Sequence, residues 1–264
     1  WNGGKETVVC SEPGDERQPT IICNESNELV FTWLDSRNSD QGNEFGLDLY
    51  ANKLDENGNT TEIPSNGKCI LNYSKTILKK SADFISGDLK FRKGKDPKKI
   101  EKVSMYNHNM VLSDNNSVII ASDIWRLDED SFLKIFKINE NLDVVWENII
   151  QENSFQHNPL IITDGNYGAC VFWNDGRNDE NSIFGKKYNS DGKSFSDAKN
   201  GVLISVDESK NNYEKVLSDK YNKNGMNIQE GKLNVPWVTT GADNLYLSTF
   251  DLNNINPFKF TPEI

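Results

Sequence analysis

Apolar residues in this chain come in short alternating or continuous runs cut by Asn, Asp, Ser and Gly, and helical spacing is almost absent. Residues 18–37, QPTIICNESNELVFTWLDSR, carry two such runs, Thr20 to Cys23 and Leu29 to Trp33, split by Asn, Glu and Ser. That pattern predicts two strands joined by a turn. Residues 49–58, LYANKLDENG, alternate and then end in Asp-Glu-Asn-Gly, where Asn and Gly supply the positive φ of a tight hairpin. A further short run follows at Gly67 to Leu71, so the unit reads as a meander of about four strands.

The unit recurs. Residues 18–37 align without gaps to 158–177, NPLIITDGNYGACVFWNDGR, which sets Trp33 on Trp173, Asp35 on Asp175 and Arg37 on Arg177. A third copy, 107–126, NHNMVLSDNNSVIIASDIWR, ends on Arg126, and a fourth, Asn222 to Gly241, keeps Trp237 without the Asp or the Arg. The second block returns at 133–142, 183–192 and 245–254, and Val144 to Ile150 supplies another fourth strand.

One such sheet cannot bury both faces alone, so the copies are expected to stack as blades. The expectation is an all-β protein, a single β-propeller domain over residues 1–264 built of four-stranded antiparallel blades. The blades fall at about 11–72, 105–152, 155–205 and 220–264, with residues 1–10 completing the last one and closing the ring, which removes an open edge. Anchors at 33, 122, 173 and 237 are 89, 51 and 64 residues apart, and the long first gap makes 73–104 either an insertion or a degenerate fifth blade.

Charge narrows the partners. With 29 basic and 40 acidic residues the net charge is −11, which repels a polyphosphate backbone and argues against nucleic acid. The basic run Lys90 to Lys102 is broken by Asp and Pro and reads as a solvated excursion. No apolar run is long enough for a membrane span. The chain starts at Trp1 with neither Met nor an apolar leader, which fits a processed precursor or a trimmed chain and an extracellular or cell-surface location. Cys10, Cys23, Cys69 and Cys170 show no C-x-x-C spacing, and two alternatives stay open for them, free core thiols or up to two disulfides.

FTWLDSR and VFWNDGR, followed by LYANKLDENG and IFGKKYNSDG, resemble a W-x-D-x-R … I-Y-A-x-x-L-D-x-x-G repeat of bacterial secreted and surface proteins. The resemblance covers two copies well and two poorly. It implies a propeller that serves as an interaction or surface module, and it carries over no catalytic residue. Ser190-Asp191-Gly192-Lys193-Ser194-Phe195 is loosely similar to the Asp-box of sialidases, with the spacing off by one before the glycine. That box is itself a structural turn.

Asp35, Arg37, Asp175 and Arg177 sit at strand ends, where side chains two apart point the same way. They are either a ring of ligand-recognising groups on the loop face or a brace repeated in each blade. Repetition favours the brace, since a catalytic site needs its groups once. Trp125 breaks the Trp33/Trp173/Trp237 register and lies beside Arg126, which makes it the candidate exposed stacking platform for a ligand. The tracts Asp35 to Asp48 and Asp175 to Glu180 are rich in oxygen donors, with Asp40, Glu44 and Asp179 as candidate ligands of a structural calcium. Neither has EF-hand order, and no other cofactor is expected. His108 and His157 precede first strands and read as loop residues rather than metal ligands.

Two functional readings follow. The first is a non-catalytic extracellular module that binds a glycan or a protein surface, alone or as part of a larger chain. The second is a glycan-active hydrolase, with carboxyl groups from different blades about 5 to 10 Å apart.

Overall fold

The computed structural model describes residues 6–39, 46–60, 64–73, 103–126, 131–152, 154–177, 182–194, 199–204, 215–216, 227–229, 232–239 and 245–251. Among these the regular elements are all strands, arranged in four antiparallel sheets. Sheet A holds β1 (Glu16–Cys23), β2 (Leu29–Asp35), β3 (Asp48–Leu54) and β4 (Lys68–Leu71) in simple order. Sheet B repeats that order with β5 (Val103–Leu112), β6 (Val118–Arg126), β7 (Phe132–Ile138) and β8 (Val144–Ile150). Sheet C does so with β9 (Gln156–Thr163), β10 (Ala169–Asp175), β11 (Ser182–Tyr188) and β12 (Val202–Leu203).

Sheet D departs from the pattern. Its first position is divided between β13 (Lys215–Val216) and β14 (Asn227–Gln229), which pair with the two halves of β15 (Lys232–Thr239), while β16 (Leu245–Asp251) lies on the other edge of β15. Residues 6–10, expected to complete this sheet, carry no strand. Val9 and Cys10 instead bond to sheet A, through Asn52 and Arg37. Residues 1–5, and nearly all of the 73–104 segment, lie outside the described residues.

The strand pairing equates positions across all four sheets. Trp33 lies opposite Tyr50, Ser122 opposite Lys134, Trp173 opposite Phe184 and Trp237 opposite Tyr246. The hairpin after the third strand closes by one device in sheets A, B and C. The side-chain oxygen of Asp55, Asn139 or Asn189 accepts two backbone N–H groups, two and four residues on. A left-handed residue then completes the turn: Gly58 (φ 79°), Leu142 (φ 59°) or Gly192 (φ 78°). Leu142 adopts this conformation without being glycine, and its 2% exposed side chain is buried in the core in return.

Alternation within strands explains how the sheets stack. In β6, Val118, Ile120 and Ile124 join the apolar cluster shared with Val30, Leu34 and Leu49 of sheet A. Their neighbours Ile119 and Ala121 join the cluster shared with Val171, Trp173 and Phe184 of sheet C. Sheet B is thus covered on both faces, which is why β6 begins as a continuous apolar run instead of an alternating one. Polar links cross the same junctions: Thr32 Oγ1 to His108 Nε2 at 2.9 Å between A and B, and Trp146 Nε1 to the Ser190 carbonyl at 2.9 Å between B and C.

All four cysteines are free thiols, so the disulfide alternative does not hold. Cys170 is fully buried in β10, and burial pushes its thiol up to about 12.

Candidate functional site

At the end of β2, Asp35 is fully buried, with both carboxylate oxygens engaged. Trp33 Nε1 donates to Oδ2 at 2.9 Å, the Arg37 amide donates to Oδ1 at 2.8 Å, and Arg37 Nε reaches Oδ2 at 2.9 Å. The guanidinium also donates to the Asn66 carbonyl at 3.1 Å and lies 4.0 Å over the Tyr50 ring. Gly67, at φ 84°, follows Asn66, and a Cβ there would come within 2.4 Å of the Trp33 ring.

Sheet C repeats the arrangement with Trp173, Asp175, Arg177, the Asn200 carbonyl, Phe184 and Gly201. The tryptophan, aspartate and arginine at two-residue spacing therefore tie the second strand to the third and to the segment entering the fourth. Burial raises both carboxyl groups, but the arginine and the indole N–H outweigh it and hold each below the usual carboxylate range. Of the two alternatives held open for Asp35, Arg37, Asp175 and Arg177, ligand recognition or a repeated brace, these internal bonds are those of a brace.

The surroundings of the two braces differ. In sheet C, Ser154 Oγ donates to Asp175 Oδ1 at 3.0 Å and Gln156 Nε2 donates to Ser154. In sheet A the place of Gln156 is taken by Glu16, and Arg37 Nη2 contacts Cys10 Sγ at 2.9 Å. The ligand atoms of Cys10, Glu16 and Asp35 lie within 4.8 Å of one another. The Arg37 guanidinium already pairs with Asp35 and bonds Cys10 Sγ, so a cation occupies the place a metal would take on these two residues. Asp35, at 0% exposure, is also out of reach of a substrate, so Glu16 and Asp35 do not form an acid and nucleophile pair.

Sheet B lacks the brace, because Ser122 and Ile124 occupy the places of the tryptophan and the aspartate. All three sheets shift register between their first two strands at this end, and in sheet B the shift carries an aromatic residue. The pairing of β5 with β6 shifts between Met105 and Asn107, leaving Tyr106 as an extra residue that bulges outward and is 52% exposed. Half-buried Trp125 stacks on Tyr106, with centroids 4.9 Å apart and an interplanar angle of 27°. Phe155, 44% exposed and just ahead of β9, meets Trp125 edge-on at 5.5 Å. Arg126 ends β6, and its side chain lies outside the described residues, as do Asp40, Glu44 and Asp179.

Two residues before Trp125 in β6, Asp123 is fully buried. Its carboxylate accepts the Asn107 amide at 2.6 Å and, from sheet C, the Asn158 amide at 3.1 Å. Burial pushes this carboxyl up to about 6, against the pull of those amides. Nothing in the sequence marks Asp123, since its environment exists only once sheet C is in place. Because the folded protein holds this proton more tightly than the unfolded chain, stability falls as pH rises from about 4 to about 6 and stays lower above that window. Asp123→Asn removes that component. Urea unfolding at pH 4, 5, 6 and 7 is expected to show the wild type losing up to about 3 kcal/mol relative to the variant, and parallel pH curves would contradict it.

No protein-family model and no curated protein matches this chain. Among solved structures the fold is similar to that of a polysaccharide lyase, the PL25 ulvan lyase, at a TM-score of 0.53 and 10% identity. The similarity covers 93% of this chain and 55% of the lyase, so the chain spans little more than half of that protein's length. A protein of unknown function from Dyadobacter fermentans DSM 18053 is similar at a TM-score of 0.53 and 11% identity, over 97% of this chain and 71% of that one. A family 117 glycoside hydrolase from the marine bacterium Zobellia galactanivorans follows at a TM-score of 0.48 and 4% identity, over 94% and 69%. The non-catalytic binding module expected from the sequence is corrected here. That reading rested on a symmetric repeat without a catalytic motif, and a polysaccharide lyase has the same fold. Among the described residues no helix is long and apolar enough to cross a membrane.

Proposed function

We propose that the sheets are blades of a β-propeller and that the protein is a glycan-active enzyme, cleaving a polysaccharide outside the cell. The observation that carries the reading is the fold shared with a polysaccharide lyase over 93% of the chain. The stacking geometry supports a ring. Ile21 and Phe31 occupy in sheet A the paired positions of Ile161 and Val171 in sheet C, which are covered by sheet B. Ile21 is 57% exposed, and closure by a further sheet would bury it as Ile161 is buried. An extracellular location suits a substrate too large to cross a membrane.

The test incubates the full chain with ulvan, arabinan, xylan and pectin. New reducing ends are measured alongside the ultraviolet absorbance of an unsaturated uronate. Reducing ends without the absorbance would make the enzyme a hydrolase, and both together would make it a lyase. Folded protein that releases neither from any of the four polymers would overturn the reading.

A further inference from the structure

Three aromatic rings from separate segments meet once among the described residues, and only where the repeat is broken. Tyr106 comes from the bulge in β5, Trp125 from the end of β6 and Phe155 from the connection into β9. At the position of Trp125, sheets A and C carry Ser36 and Gly176, one residue beyond Asp35 and Asp175. The trio is therefore not a blade-packing device, because the blades with the regular brace do without it. Tyr106 and Phe155 are two of the large hydrophobic side chains that stay exposed, at 52% and 44%, although β6 between its neighbours is covered on both faces.

Asp123 fixes the arrangement. Its carboxylate holds the amide of Asn107, next to Tyr106, and that of Asn158, three residues after Phe155, while Trp125 follows it by two. One buried group thus sets the backbone under all three rings and joins sheet B to sheet C. Asn107 Nδ2 adds a bond to Asn158 Oδ1 at 3.2 Å across the same junction.

We propose that Tyr106, Trp125 and Phe155 form a stacking subsite for a pyranose ring of a glycan, with Asp123 as its positioning residue. Exposed aromatic faces suit a ligand that has an apolar C–H face to lay against them. Three rings are too small a patch for a stable protein interface, which needs upward of about 1,000 Å². The charge of −11 disfavours a nucleic acid, whose bases would also stack. The choice of a sugar ring rests on the glycan-active reading, whereas the location of the subsite rests on the geometry alone.

The experiment compares the full-length wild type with the double variant Tyr106→Ala/Phe155→Ala, which truncates only exposed rings, and with Trp125→Ala. Each is run through native gels containing ulvan, arabinan, xylan or pectin and is titrated with the retarding polymer by tryptophan fluorescence. The expected result is retardation of the wild type by at least one polymer, with affinity about tenfold weaker in each variant and the thermal stability of the double variant unchanged. Equal retardation of wild type and variants would overturn the subsite and leave the glycan-active reading standing. A wild type that no polymer retards, and that also releases no reducing ends, would overturn both.

Discussion

Asp175→Ala lowers stability by about 3–5 kcal/mol, because it strands the buried end of Arg177 and removes the acceptor of Trp173 Nε1 and Ser154 Oγ in one step. In a chain of this length that loss lowers the melting temperature by roughly 10 °C. A ligand-binding carboxylate on an open face would behave otherwise, since its removal changes stability by no more than about 0.5 kcal/mol. Differential scanning calorimetry separates the two, and a melting point unchanged from wild type would show that the carboxylate is not structural. Asp35→Ala acts in the same direction through Trp33 and Arg37. The pH dependence of these two carboxylates is opposite to that of Asp123. Their folded values lie below the unfolded ones, so their stabilisation is complete above the usual carboxylate range and is lost as pH falls through the folded value.

Trp173→Ala is expected to cost about 3–5 kcal/mol in urea unfolding, as truncation of a buried large side chain does. The ring is 0% exposed, lies in the cluster between sheets B and C, and is stacked on Phe184 at 6.3 Å. Gly201 approaches it so closely that a Cβ would come within 2.3 Å, so the surrounding backbone is shaped to this ring and cannot collapse into its place. Trp125→Ala, by contrast, removes a half-buried ring that stacks on exposed Tyr106 and meets exposed Phe155 edge-on, and should cost less than about 1 kcal/mol. Equal losses for the two tryptophans would mean that the Trp125 cluster is core and not surface.

The two kinds of tryptophan differed in how far the sequence revealed them. Trp33 and Trp173 recur with an aspartate two residues on and an arginine four residues on, and this pattern marks a brace because side chains two apart share a face of a strand. Trp125 stood out by falling three residues off that register. Tyr106 and Phe155 did not, since one is exposed by a single-residue bulge and the other belongs to a connection in the following unit. The reading of function erred for a related reason. A symmetric repeat describes the scaffold, while any site on it depends on where the symmetry fails.

What the amino-acid order determined by itself is local: strands of period two, Asx-capped turns with glycine at the left-handed position, and matched registers in successive sheets. These follow from backbone sterics and from hydrogen bonds spanning a few residues. What only the tertiary structure decided is long-range. The stacking of sheet C on sheet B buries Asp123 and brings rings from positions 106, 125 and 155 together. Burial and ring contact are properties of neighbours far apart in the chain, and local pattern carries no record of them.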